Sequence, residues 1–202
     1  MNLARKKSIL LSSIIISFII ILILTFIFAE YLSRKNNPQK ISEIIDKVHL
    51  IDHYGKPFKN STLKNKPSLL FFGFTNCPEI CPTTLGDLSE ITKEATSYVD
   101  AINIIFVTLD PKRDNKRRLK DYIQYFDDNV IGVTGDKIEI KKFAKNWGVF
   151  YETVKTSNNN YTLNHTSTVF MIDELGNFRG TISWGENKTS IIQKINNLRK
   201  IN

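Results

Sequence analysis

Short apolar runs alternate with segments of helical periodicity along most of this chain, and this order restricts its fold more than any other feature. The runs with strand character are Ser68–Thr75, Asn103–Leu109, Val130–Val133 and Ser167–Ile172. Between them, apolar residues recur at the spacing of a helix face. Strands that alternate with helices favour an α/β layer that contains parallel strands.

The remaining elements complete a recognisable order. The predicted helix faces are Leu85, Leu88, Ile91, Ala95 and Val99; then Leu119, Tyr122, Ile123 and Phe126; then Ile138, Ile140, Phe143, Ala144 and Trp147. Residues 48–52 suggest a short early strand, and residues 157–160 a loop. Residues 178–184 are predicted to pair antiparallel with the last run, and a final helix to follow Thr189. This order matches a thioredoxin-like fold, a central mixed β-sheet flanked by helices.

The two cysteines of the chain, Cys77 and Cys81, lie directly after the first buried run, with a helix predicted from Pro82. The free N–H groups and positive dipole of a helix N-terminus favour thiolate, the reactive and metal-binding form. Residues four apart share a helical face, with Cα atoms about 6 Å apart, so they can form a disulfide. The pair therefore predicts either soft-metal binding or redox chemistry, with two merely packed cysteines as the alternative.

A second polar motif, Asp110–Asp114, follows the second buried run. Functional sites of such sheets lie beyond the carboxyl ends of the strands, so this motif is predicted to lie beside the cysteine turn. There Asp110 or Arg113 would hold the site or contact a partner. The alternative is a proline-containing turn in which Asp110 only caps the next element.

The N-terminus predicts a membrane anchor over residues 9–29, an apolar run long enough to cross a bilayer. Arg5, Lys6 and Lys7 precede it, which keeps a short basic tail, residues 1–8, in the cytoplasm. The prediction is a single-pass protein of a bacterial inner membrane, with a linker over residues 30–45 and a periplasmic domain over residues 46–202. A cleaved signal peptide is the alternative, but its apolar core is usually shorter and ends at a small-x-small site.

Charge argues against one class of partner. The net charge is +8, and the first 40 residues contribute six basic residues against one acidic residue. The rest of the chain is only weakly basic, so nucleic acid is not an expected partner. A basic stretch from Lys112 to Lys120 is interpreted as a solvated helix face.

Three segments resemble the Sco/SenC proteins, which are membrane-anchored, thioredoxin-like copper chaperones of cytochrome c oxidase assembly. They are Phe72–Leu85 with its Cys-Pro-Glu-Ile-Cys core, Asp110–Asp114, and Asn164–Thr166 before a strand. The resemblance covers residues 46–186, and the anchor is a fourth shared feature. The chain differs from the usual family pattern at Glu79, Asn115, Asn164 and Thr166. The change at Asn164 is predicted to alter how His165 is held.

The resemblance implies that Cys77, Cys81 and His165 bind copper as Cu(I), with Cu(II) as a second form. Thiolates and imidazole suit copper, whereas structural zinc usually requires four Cys or His ligands. Two further histidines, His49 and His53, are interpreted as surface residues. The implied function is delivery of copper to the binuclear site of the oxidase. The implied partners are the copper-carrying oxidase subunit and a copper-donor chaperone.

A copper chaperone is not an enzyme, but two other functions are compatible with the chain. One is a thiol–disulfide oxidoreductase acting on the cysteines of the same oxidase subunit. Such reductases usually have Cys-x-x-Cys and a facing cis-proline, whereas this chain has three residues between its cysteines and no proline after Pro111. The other is a tethered binding module with a structural disulfide, which an exported compartment permits.

Overall fold

The computed structural model describes residues 3–36, 44–64, 66–95, 102–156 and 160–199. The chain forms two compact units, Met1–Pro38 and Gln39–Asn202.

The first unit contains helix α1, Leu3–Asn36. Its side chains are described over residues 14–30, where the large apolar ones are exposed. Among the described residues, no helix is both long and apolar enough to cross a membrane, so the predicted anchor over residues 9–29 is not confirmed. The predicted linker, residues 30–45, is helical as far as Asn36.

The rest of the predicted linker lies partly inside the second unit. Residues 37–43 are outside the described residues, but Ile44 and Ile45 are already buried in the domain core. Their burial indicates that ordered packing of the domain includes residues before position 46.

The second unit is built on a mixed sheet of seven strands: β1 Leu50–Asp52, β2 Pro57–Phe58, β3 Ser68–Gly73, β4 Asn103–Thr108, β5 Val130–Gly135, β8 Val169–Ile172 and β9 Phe178–Ile182. Across the sheet, the strands lie in the order β2-β1-β5-β4-β3-β8-β9. Strands β3, β4 and β5 are parallel, whereas β8 runs antiparallel to β3. The predicted parallel strands and closing antiparallel pair are therefore confirmed.

The described helices of this unit are α2 Ile80–Ala95, α3 Lys116–Ile123, α4 Lys137–Asn146 and α5 Lys188–Arg199, with a 3-10 turn at Asn60–Thr62. Most predicted helix positions are buried, including Leu85, Leu119 and Phe143. Ile138 is an exception because it lies on the exposed side of the first turn of α4. Val99 lies outside the described residues.

Strands β3 and β4 form the centre of the core and place the site. Nearly all their residues are buried, as expected for central strands covered on both faces. Their register pairs Gly73 with Thr108, the last residues of the two strands. Residues 74–81 and 109–114 therefore leave the sheet side by side, which confirms the predicted position of Asp110–Asp114.

A second, two-stranded sheet was not predicted. It is a hairpin of β6 Tyr151–Lys155 and β7 Tyr161–His165, in which Tyr151 pairs with His165. Most of its residues are at least partly exposed, whereas Leu163 is buried. Because the strands lack a continuous apolar run, the sequence indicated only the loop between them, of which residues 157–159 lie outside the described part.

Candidate metal centre

Cys77 and Cys81 lie on either side of the start of helix α2. Cys77 is in the preceding loop, where its N–H donates to the carbonyl of Phe74 at 3.1 Å. The helix begins at Ile80, two residues before the predicted start at Pro82. Proline is tolerated there because first-turn N–H groups have no partner inside the helix. The N–H of Cys81 donates instead to Cys77 Sγ at 3.4 Å, which places that sulfur at the helix N-terminus.

His165 reaches the cysteines from the end of β7. Its Nε2 lies 3.6 Å from Cys81 Sγ. On the other side of the ring, Nδ1 lies 2.9 Å from the carbonyl oxygen of Thr166. This contact assigns the proton of the neutral ring to Nδ1, so the Nε2 lone pair faces the sulfur. Such a contact orients imidazole for metal binding.

The three predicted ligand residues come together, since Cys77 Sγ, Cys81 Sγ and a ring nitrogen of His165 lie within 4.8 Å of one another. Atoms bound to one ion at about 2.0–2.3 Å in a triangle lie roughly 4 Å apart, so a small adjustment suffices. Cys81 is fully buried, whereas Cys77 and His165 are partly exposed. Both thiols are free.

The walls of the site are apolar and closely packed. Phe71 and Phe74 pack against the His165 ring in edge-type arrangements, with ring centroids 6.3 and 5.8 Å away. The Cys81 sulfur lies against the backbone of Gly73, where a Cβ atom would come within 2.7 Å of it. Any side chain at position 73 would therefore displace both the sulfur and the neighbouring ring of Phe106, whose Cε2 would lie 2.6 Å from that Cβ atom.

The two thiols differ strongly in acidity. A hydrogen bond from Cys81 lowers the pKa of Cys77 to about 4, while burial opposes this shift. The same hydrogen bond and burial raise the pKa of Cys81 above its usual range. At neutral pH the pair therefore holds one proton, and the partly exposed Cys77 is the thiolate.

Asp114 fixes the loop before Cys77, a role that the sequence interpretation missed. This fully buried carboxylate accepts hydrogen bonds from the N–H and hydroxyl of Thr75 at 2.9 and 2.6 Å, and from the hydroxyl of Thr108 at 2.7 Å. Burial raises the pKa of Asp114, while these hydrogen bonds oppose the shift. Thr75 lies just after β3, and Thr108 is the last residue of the adjacent strand β4. By bonding both residues, Asp114 joins the two loops at the site.

Asp110 and Arg113 form a turn beside the cysteine loop. The carbonyl of Asp110 accepts the N–H of Arg113 at 3.1 Å, and the two side chains form an ion pair. The Arg113 guanidinium lies 6.0 Å from the ring centroid of Phe74. The alternative in which Asp110 caps the next element is wrong, because the side chain of Asn115 caps α3.

The predicted solvated face at Lys112–Lys120 is only partly confirmed. The exposed basic residues of the run are Lys112, Lys116, Arg117, Arg118 and Lys120. Although it is exposed, Arg118 donates from Nε to the hydroxyl of Thr75 at 3.2 Å, whereas Arg113 is half-buried and forms an ion pair with Asp110. Two arginines of the run thus support the loops around the site.

The other two histidines do not join the ligand group within the described structure. His53 is only 7% exposed, so its assignment to the surface is wrong. Its Nδ1 accepts the N–H of Gly132 at 3.1 Å, and burial lowers its pKa. His49 is exposed, as predicted, and its backbone N–H donates to Glu139.

The departures from the family pattern are accommodated locally. Asn115 caps α3 as well as threonine would, since both are favourable N-cap residues. Asn164 lies opposite Glu152 in the hairpin and donates to its carboxylate at 3.3 Å, rather than contacting the His165 ring. An aspartate at position 164 would place two negative charges opposite each other. Thr166 Oγ1 accepts the N–H of Phe150 at 3.1 Å.

A solvent-open cleft of about 420 Å³ leads to the centre. Its lining includes Cys77, His165 and Phe74, together with the exposed Pro78 and Glu79. The partly exposed ligands are therefore accessible from outside, whereas Cys81 lies behind them.

Comparison with known proteins identifies the family. The sequence model described as SCO1/SenC matches residues 36–200. The chain belongs to the SCO1/SenC family. A SCO2-like protein of Rickettsia conorii is 40% identical over 131 residues, which are 64% of each chain, a little under two thirds of that relative.

Solved structures of the family agree with the thioredoxin-like fold. ScoI of Bradyrhizobium japonicum, solved with copper bound, is 32% identical with a TM-score of 0.69, over 75% of this chain and 97% of that one. A Sco-family cytochrome c oxidase assembly protein with an identified disulfide switch is 25% identical with a TM-score of 0.59, over 76% of this chain and 92% of that one.

Proposed function

We propose that this protein binds one Cu(I) ion through Cys77, Cys81 and His165 and delivers it to the binuclear copper site of cytochrome c oxidase. The observation that carries the proposal is the meeting of two sulfurs and one imidazole nitrogen within 4.8 Å. The copper bound in a solved relative of the family supports the choice of metal.

The donor set fits copper as a transferable cargo. Cu(I) favours soft thiolates, and imidazole suits copper in both oxidation states. Among the described residues no fourth Cys or His joins this group, which makes structural zinc a poorer match. Because the cleft exposes Cys77 and His165, ligands of another protein can approach and replace them one at a time.

The proposed partners follow from this transfer. The recipient is the copper-carrying subunit of the oxidase, and a copper-donor chaperone loads the site. The support is family membership and the relative known as an oxidase assembly protein.

A second function, thiol–disulfide exchange, is favoured by the acidity of Cys77. A partly exposed thiolate beside a buried thiol can attack a disulfide and then be released by its neighbour. This reaction uses the two cysteines and needs no metal ligand from His165, so His165 separates the two functions.

The first prediction therefore concerns His165→Ala. Full-length reduced protein in detergent should bind one Cu(I), and the variant should bind it at least about tenfold more weakly because one of three ligands is lost. Competition with a Cu(I) chelator measures the affinity. Reduction of a model disulfide should continue in the variant. Unchanged copper affinity would contradict the proposed ligand set.

We also propose that residues 9–29 anchor the protein in a bacterial inner membrane, with the second unit in the periplasm. Support comes from the apolar run itself, the helical backbone over it and the preceding Arg5, Lys6 and Lys7. The boundaries of the tail, linker and domain remain part of this proposal.

The second prediction tests this topology. A reporter that is active only outside the cytoplasm, fused after residue 60, should be active and should remain with the membrane fraction. Replacing all three basic residues by glutamine should reduce correct insertion, because they retain the N-terminus inside. A mature N-terminus near Glu30 would show cleavage and contradict the anchor.

A further inference from the structure

The β6–β7 hairpin supplies His165 but is separate from the main sheet. Among the described strands, β6 and β7 pair with each other alone. No backbone ladder in this part of the chain therefore ties β7 to the strand that leads to the cysteines. Apart from the short connection from His165 to β8, which begins at Val169, the position of the hairpin relative to Cys81 depends on side-chain contacts with the loops at the carboxyl ends of β3 and β4.

Tyr161, the first residue of β7, makes four of these contacts. Its hydroxyl donates to the two carboxylate oxygens of Asp110 at 2.9 and 3.2 Å. Arg113 Nη1 donates to the carbonyl oxygen of Tyr161 at 2.9 Å. The Arg113 guanidinium also lies 3.8 Å from the centroid of the Tyr161 ring. One residue of the hairpin is thus held by a hydrogen bond, a backbone contact and a cation–π contact.

The partners of Tyr161 are themselves fixed to the sheet. Asp110 is 5% exposed, and its N–H donates to the hydroxyl of Thr108 at 2.9 Å, at the end of β4. Arg113 is fixed through its ion pair with Asp110. Because Thr108 also donates to Asp114, the same anchor holds the loop that leads to Cys77.

We propose that Tyr161, Arg113 and Asp110 form a latch that positions His165 for copper, with Tyr161 and Arg113 as positioning residues. This inference rests on the proposed function. When the latch opens, β7 can move away from the sheet, and His165 occupies its place beside Cys81 for a smaller fraction of the time. Apparent copper affinity then falls in proportion to the population that remains competent.

The third prediction uses a matched pair of variants in the full-length reduced protein. Tyr161→Phe removes the hydroxyl that bonds Asp110 but keeps the ring under Arg113. Tyr151→Phe removes the same atom from the same hairpin, and among the described residues that hydroxyl has no hydrogen-bond partner. Tyr161→Phe should weaken Cu(I) binding about fivefold. The lost hydrogen bond to a charged acceptor is large enough to lower the competent fraction of the protein by that factor. Tyr151→Phe should change it less than twofold.

A double-variant cycle separates positioning from general damage to the fold. In a His165→Ala background, Tyr161→Phe should have no further effect on Cu(I) affinity, because the latch acts through His165. In metal-free protein, amide hydrogen exchange over residues 161–165 should be faster in Tyr161→Phe than in Tyr151→Phe.

Two results would overturn the latch while the proposed function stands: equal weakening in both backgrounds, or no weakening by Tyr161→Phe in the presence of His165. If His165→Ala itself leaves Cu(I) affinity unchanged, the proposed ligand set and the latch both fail.

Discussion

The double variant Cys77→Ser/Cys81→Ser is expected to lose stable Cu(I) binding completely. Each thiolate is a strong soft ligand, and serine offers a hard, protonated oxygen instead. Structural metal sites with four ligands bind with roughly 10–16 kcal/mol, so one thiolate contributes on the order of 3 kcal/mol. Each single variant should therefore bind at least about a hundredfold more weakly, as measured by chelator competition and by metal content after gel filtration.

The control must separate loss of a ligand from loss of the fold. Cys81 is fully buried, and a serine hydroxyl there would be costly without a partner. Cys81→Ala avoids that cost and should give the same copper loss. Ser89→Ala is a matched change on the same helix, at a buried hydroxyl that has no hydrogen-bond partner among the described residues. It should keep full copper binding. Stoichiometric Cu(I) in the double cysteine variant would refute the proposed centre.

Oxidation of the wild-type protein is expected to abolish Cu(I) uptake as completely as the double substitution. Formation of a Cys77–Cys81 disulfide from the thiolate and the thiol transfers two electrons to the oxidant, releases the one remaining thiol proton and leaves no thiolate to bind the metal. The proposed periplasmic location would permit this bond, and a disulfide switch is known in a relative of the family. Alkylation with mass readout measures the oxidised fraction, and copper loading before and after reduction measures the effect.

The matched control for oxidation is His165→Ala. This variant retains both cysteines, so it should form the disulfide to the same extent as the wild type. Equal copper loading of the oxidised and reduced wild-type protein would contradict the prediction.

Sequence pattern was sufficient for the parts of the fold that bury continuous apolar runs. Strand β3 and the helix face at Leu85 were predicted because burial dictates their apolar spacing. The hairpin β6–β7 was missed because its strands are short and mostly exposed. The alternation of Tyr161, Leu163 and His165 is a weak strand signal that could have indicated β7.

The three residues that meet at the candidate site were predictable, but the groups that hold them in place were not. Cys77, Cys81 and His165 carry distinctive chemistry, and the family resemblance joins them. Asp110 and Asp114 belong to one motif, and their spacing does not indicate which of the two carboxylates accepts the hydrogen bonds from Thr75. His53 was misassigned because its burial depends on the packing of its turn against β5, at Gly132.

The wide separation of the ligands along the chain links metal binding to unfolding. Cys81 and His165 are 84 positions apart. In an unfolded chain, the length-dependent part of the entropy cost of closing such a loop is about 4 kcal/mol of free energy. The folded sheet and hairpin have already brought both residues together, so copper binds the native chain in preference to the denatured one. Loading with copper therefore raises resistance to heat and denaturant, and a variant that weakens the fold far from the centre also releases metal more readily.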